Sequence, residues 1–211
     1  MKRAYEHFTY IDRAVGRMLD EVDKRGLSGN TIVIYTADHG DALACHGGLV
    51  DKAGDLMEEV MHIPLVIRMP GVAGGLKNES LVSNMDLVPT VLEAAGLKPP
   101  SYMDGQSLVP LLKGRSASLR DDLMVQHYGH FNIHAPQRAL YWKNYKYIAT
   151  ENDVCELYDL STDPFEKSNA VNEPSMIKIR LELQQRLLAN MDRYGDNDAN
   201  VKDIRRVISL P

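Results

Sequence analysis

Between residues 36 and 52 the chain reads TADHGDALACHGGLVDK, with two histidines, three aspartates, a cysteine and a lysine following an apolar run. Asp38 and His39 sit where that run ends. A sharp turn at Gly40 can aim a carboxylate oxygen and an imidazole nitrogen at one ion, an O/N pair that suits Mn²⁺ or Zn²⁺ better than Ca²⁺. The same two residues can equally serve as a turn cap and a solvated imidazole. His46 and Lys52 follow on the same loop. Beside a metal, a lysine and a histidine can bind a tetrahedral oxyanion and protonate a leaving oxygen; without one they are ordinary surface residues. Cys45 lies in ALACHGG, which has no nucleophile-elbow pattern, so it reads as incidental. A second histidine-rich stretch, HYGHFNIH, carries His127, His130 and His134. These either reach a substrate pocket or decorate an aromatic loop.

The elements around these residues suggest an α/β protein. Residues 3–25 carry Phe8, Ile11, Val15, Met18, Leu19 and Val22 at helical spacing, with Gly26 placed to end the helix. After the turn LSGN, the β-branched run TIVIYTA reads as a strand buried on both faces. IPLVIRMPG (63–71) reads as a second core strand, stopped at Pro70-Gly71. Ser83 and Asp86 form a possible capping box ahead of a helix with Val88, Val91, Leu92 and Ala95 on one stripe. In open α/β sheets ligands gather at the carboxyl ends of strands, where Asp38 and His39 stand.

From about residue 120 the pattern changes. DLMVQHY, QRALYW, YKYIA and CELYDL are short aromatic-rich runs divided by polar turns, which predicts an antiparallel meander. A closing helix spans roughly 175–192, with Met176, Ile179, Leu183, Leu187 and Met191 on one stripe. The Tyr/Trp cluster at 141–147 reads as packing between sheet and helix. The segment after Tyr194, GDNDAN, reads as a loose polar tail.

Composition narrows the function. With 211 residues, 44% hydrophobic and 25% charged, this is an ordinary globular chain, and a net charge of −5 gives no basic footprint for nucleic acid. No apolar stretch approaches the roughly 20 residues of a membrane helix. The N-terminal MKRAYEHF has no apolar h-region, so the chain shows no signal peptide and its compartment stays open. Two cysteines, Cys45 and Cys155, make no disulfide framework.

Beyond these readings, the chain resembles the C-terminal half of a sulfatase, within the alkaline-phosphatase-like superfamily. YIDRAVGRMLDEV is similar to the helix that precedes that family's second metal-binding strand, and TIVIYTADHGD to the strand and its metal loop. HGGLVDK resembles the oxyanion-lysine segment, and EEVMHIPLVIRMPG the strand that follows. MDLVPTVLEAAG and DGQSLVPLL resemble the next helix and loop. NYKYIATENDVCELYDLSTDPFEKSNAV resembles the C-terminal sheet with its L-Y-D-L…D-P-x-E-x-x-N signature.

The resemblance implies a partial alkaline-phosphatase-like mixed sheet with flanking helices over 1–118. A small antiparallel sheet packed with a helix follows over 119–211. It implies one divalent cation, Ca²⁺ first and Mn²⁺ as the alternative, partly liganded by Asp38 and His39. Many sulfatases have Asn at the second place. His there also occurs in relatives that hydrolyse phosphonate monoesters or phosphodiesters. Lys52 would contact the sulfate and His46 would support it. Lys52 stands one residue farther from Asp38 than the common pattern, as if the loop carried an insertion. The substrate would be a sulfated small molecule or carbohydrate, with no nucleic acid or membrane partner and an open oligomeric state. The family's C/S-x-P-x-R motif, whose Cys or Ser becomes a formylglycine nucleophile, is absent. The chain therefore reads as part of a longer polypeptide, inactive alone. A phosphonate or phosphodiester hydrolase, or a non-catalytic remnant, are the alternatives.

Overall fold

The computed structural model describes residues 2–52, 55–129, 136–197 and 201–209. Two compact units emerge, one formed by 1–38 with 63–76 and the other by 39–62 with 77–211.

The first unit holds helix α1 (Lys2–Lys24) and an antiparallel pair, β1 (Val33–Thr36) with β2 (Leu65–Arg68), in which Thr36 faces Leu65. Helix α1 ends as the sequence predicts: Gly26 adopts φ +68°, and the Leu27 N–H donates to the Val22 carbonyl at 3.0 Å. An L side chain rarely adopts that backbone, so glycine stops the helix at little cost. The run TIVIYTA forms a strand, but not one buried on both faces. Among the described residues its only strand partner is β2, and Tyr35 and Val66 are exposed. A two-stranded ribbon cannot cover both of its faces, whatever the strand's composition.

The second unit begins with the turn α2 (Cys45–Gly48) and the short helix α3 (Glu58–Met61). Next come α4 (Leu87–Ala94) and α5 (Val109–Leu112). The expected capping box before α4 is present. Its Asp86 is fully buried: Arg120 grips both carboxylate oxygens at 2.6 and 2.7 Å, and the N–H groups of Ser83 and Gln106 donate to it at 2.8 Å each. A buried charge needs this many donors to offset its lost hydration.

The expected meander forms: β3 (Asp122–His127), β4 (Gln137–Trp142), β5 (Tyr145–Thr150) and β6 (Glu156–Asp159) pair antiparallel in that order. Side chains alternate between the two faces. Leu140, Tyr147, Ala149 and Leu157 pack on helix α6 (Ile177–Arg193), through Leu183, Leu187 and Met191. Each such buried side chain stabilises the fold by about 1.5–3 kcal/mol relative to exposure. On the opposite face Ala139, Ile148 and Tyr158 cluster with Leu56, just ahead of α3. The sheet is thus covered on both sides.

Two features of the tail differ from the sequence reading. Helix α7 (Lys202–Ile208) follows the polar segment and buries Ile204 and Ile208, with Val201, in the α6 core. Asp196, within GDNDAN, is buried and receives Arg138 Nε at 2.6 Å and Nη2 at 2.9 Å. The segment reads as loose because its composition is that of a solvated loop; a buried arginine 58 residues away on β4 gives it a partner.

Candidate active site

Asp38 closes the first unit and His39 opens the second. His39 is half-buried, and its Nδ1 lies 2.7 Å from the Gly40 carbonyl oxygen. A carbonyl can only accept, so Nδ1 is the donating nitrogen. That is the arrangement a histidine needs to ligate a cation through Nε2, its other nitrogen held by a backbone carbonyl. The chemistry of His39 therefore fits the metal-ligand role.

Gly40 is fixed by close approach. Its N–H donates to the Val60 carbonyl at 2.8 Å, and a Cβ built on it would lie 1.9 Å from the Glu59 carbonyl oxygen. Only glycine lets the backbone after His39 seat directly on α3.

The loop that follows doubles back on itself. The Leu43 N–H donates to Asp41 Oδ1 at 2.7 Å, Ala42 to the Asp51 carbonyl at 2.9 Å, and Ala44 to the Leu49 carbonyl at 2.7 Å. Ala42 is wholly buried and anchors this small ladder. With Ala42 opposite Asp51, half-buried Lys52 returns to the segment that begins at His39-Gly40. The reversal carries Leu43, Ala44, His46 and Asp51 into positive φ, between 45 and 70°. A cluster of non-glycine residues in that region is uncommon and concentrates at functional sites.

His46 points the other way around this loop, toward α3, where its Nε2 lies 3.1 Å from Glu59 Oε2. Oxygens of Glu59 and Glu166 and a nitrogen of His46 all lie within 4.8 Å of one another. The Lys146 ammonium already stands 2.7 Å from Glu166, so positive charge is supplied there by the protein itself. Cys45 is exposed and Cys155 half-buried, both free thiols. Burial pushes the Cys155 thiol up, with the Tyr147 hydroxyl and Arg180 opposing.

The structure places His127 at the end of β3, opposite Gln137, where its carbonyl accepts from Arg138 Nη1 at 3.1 Å. His130 and His134 lie outside the described residues. Sequence reasoning did not find Glu59 as the partner of His46, or Glu58, Glu166, Tyr141 and Lys146 as a connected group. The usable signals were the paired glutamates of EEVMHIP and the lone lysine in the aromatic run YKYIAT.

The four-stranded antiparallel sheet and the helices packed on it are those of the alkaline-phosphatase-like fold. The chain belongs to the sulfatase family: the family described as N-sulphoglucosamine sulphohydrolase, C-terminal, matches residues 46–193. N-acetylglucosamine-6-O-sulfatase of Bacteroides thetaiotaomicron is 32% identical over 201 residues, which is 92% of this chain and 36% of that protein. Choline-sulfatase of Rhizobium meliloti is 32% identical over 82% of this chain and 33% of its own length. The chain thus spans about a third of these curated relatives. Among solved structures, one in complex with its substrate D-glucosamine-2-N,6-O-disulfate superposes with a TM-score of 0.83 at 32% identity, covering 91% of this chain and 40% of that one. Phosphonate monoester hydrolase of Agrobacterium radiobacter gives a TM-score of 0.77 at 27% identity, over 87% and 39%.

Proposed function

We propose that this chain supplies one wall of the active site of a metal-dependent sulfuric ester hydrolase acting on a sulfated sugar or other small sulfate ester. The observation that carries the reading is the ladder from Ala42 to Asp51, which returns Lys52 to the segment holding His39. In this role Asp38 and His39 Nε2 would hold a divalent cation, which would supply positive charge at the sulfate. The Lys52 ammonium pairs with non-bridging sulfate oxygens and stabilises their charge as the bond from sulfur to the leaving oxygen breaks. His46, held against α3 by Glu59, supports the loop that carries Lys52. The attacking group, a formylglycine in the family this chain resembles, comes from a part of the fold outside these 211 residues. Relatives whose names specify sulfated sugars favour the carbohydrate class.

Phosphonate monoester hydrolysis is the second reading. It is favoured by His39 and by the phosphonate hydrolase among the structural neighbours.

The test compares matched aryl sulfate and aryl phosphonate esters as substrates of the complete gene product, alongside its Lys52→Ala variant. Faster turnover of the sulfate ester is expected. So is a loss of roughly 10²–10³-fold in kcat/KM for Lys52→Ala at unchanged metal content, the scale of removing one charge-stabilising donor. Faster phosphonate turnover would select the second reading, and full activity in the variant would remove Lys52 from the site. The 211-residue chain alone is expected to show no turnover.

A further inference from the structure

Lys146 is the second residue of β5, with no exposed surface, opposite Tyr141 on β4. Its ammonium is 2.7 Å from Glu166 and 3.0 Å from Glu58 Oε1. The same Glu58 oxygen accepts from the Tyr141 hydroxyl at 2.5 Å, and the Glu58 backbone N–H donates to Glu166 Oε2 at 2.7 Å. Burial pushes the Glu166 carboxyl up, more than Lys146 and the Glu58 N–H pull it down. A buried ion pair of this kind is a poor way to gain stability, because desolvating the charges costs about as much as their attraction returns. What it can supply is a unique position for the segments it joins.

The segment joined here is α3. Four residues make no helix that stands alone in water, so its placement must come from outside. Glu58 fixes it to the sheet through Lys146 and Tyr141. From the same helix, Val60 accepts the Gly40 N–H, the Glu59 backbone underlies Gly40, and the Glu59 carboxylate meets His46. The path from sheet to site is thus Lys146, Glu58, α3, then Gly40 and His46.

We propose that Lys146 is a positioning residue: through Glu58 and α3 it sets the 40–52 loop, and with it His39, His46 and Lys52, in the arrangement the hydrolysis needs. The functional weight of this rests on the sulfatase reading above; the mechanical part does not. A purely structural lysine would, when lost, loosen the sheet at least as much as the loop. A positioning lysine loosens the loop selectively.

Amide hydrogen exchange on the 211-residue chain separates the two. In Lys146→Met the amides of Gly40, Ala42 and Ala44 should exchange at least ~10-fold faster, while those of β4, β5 and α6 change less than ~3-fold, as expected for a local opening. Equal acceleration in sheet and loop, or an unchanged loop, would overturn the proposal. Lys146→Met leaves two carboxylates without their cation, so a second variant guards against simple unfolding. Tyr141→Phe removes one hydrogen bond to Glu58, keeps every charge, and should give the same selective pattern at smaller size. If Lys146→Met does not fold, the Tyr141→Phe pattern decides. Because exchange requires no turnover, a loop that responds while Lys52→Ala stays fully active would refute the catalytic reading and leave the positioning intact.

Discussion

At the scale of single residues, the site depends on close approach as much as on chemical type. Gly40 illustrates this. It follows the candidate ligand His39, and a single added methyl would meet the Glu59 carbonyl oxygen at 1.9 Å. Gly40→Ala should therefore push the turn off α3 and break the Gly40–Val60 bond. The expected cost is about 1–3 kcal/mol of stability, as for overpacking elsewhere, read from the urea midpoint. The loop amides at 42 and 44 should lose protection with it. The D-H-G tripeptide was visible in the sequence as a possible ligand pair and turn. The reason its glycine cannot be replaced was not, because the colliding atom belongs to a residue 19 positions away.

At the scale of elements, periodicity revealed most of the fold. Helices α1, α4 and α6 and all four strands of the meander fall where hydrophobic spacing and turn residues placed them. What stayed hidden were elements held by long-range polar partners or too short to show a period: α3, α7 and the buried Asp196. Burial alone would push the Asp196 carboxyl up, but the Arg138 guanidinium, with Gln126 and Arg205, reverses this and holds it below the usual carboxylate value. A folded-state pKa below the unfolded one stabilises the protein above the unfolded pKa, and the contribution is lost as pH falls through the folded value. Urea unfolding at a series of pH values should show that loss below about pH 4. Asp196→Asn should be about 3–5 kcal/mol less stable at pH 7, the scale of leaving one buried partner uncompensated. Its acid limb should be correspondingly flatter.

At the scale of the whole molecule, the proposed cation site would be partial in its ligand set. Asp38 and His39 would offer two ligands where a hard divalent cation takes about six or more. After gel filtration in metal-free buffer, the 211-residue chain should carry well under one equivalent of Ca²⁺ or Mn²⁺ by elemental analysis. A stoichiometric metal would mean that ligands beyond this pair lie within the chain. The sequence lacks the family's C/S-x-P-x-R motif. It could not show which groups brace the part that is present. Those contacts join residues 58, 141, 146 and 166, and no spacing rule connects them.

The two thiols differ in a way that bears on practice. Cys45 stands exposed next to His46, while Cys155 is half-buried with its thiol pushed up by burial and so is slow to form thiolate. A maleimide dye would therefore find Cys45 first. The residue that reads as incidental becomes an attachment point, placing a fluorophore on the very loop that folds back from Ala42 to Asp51.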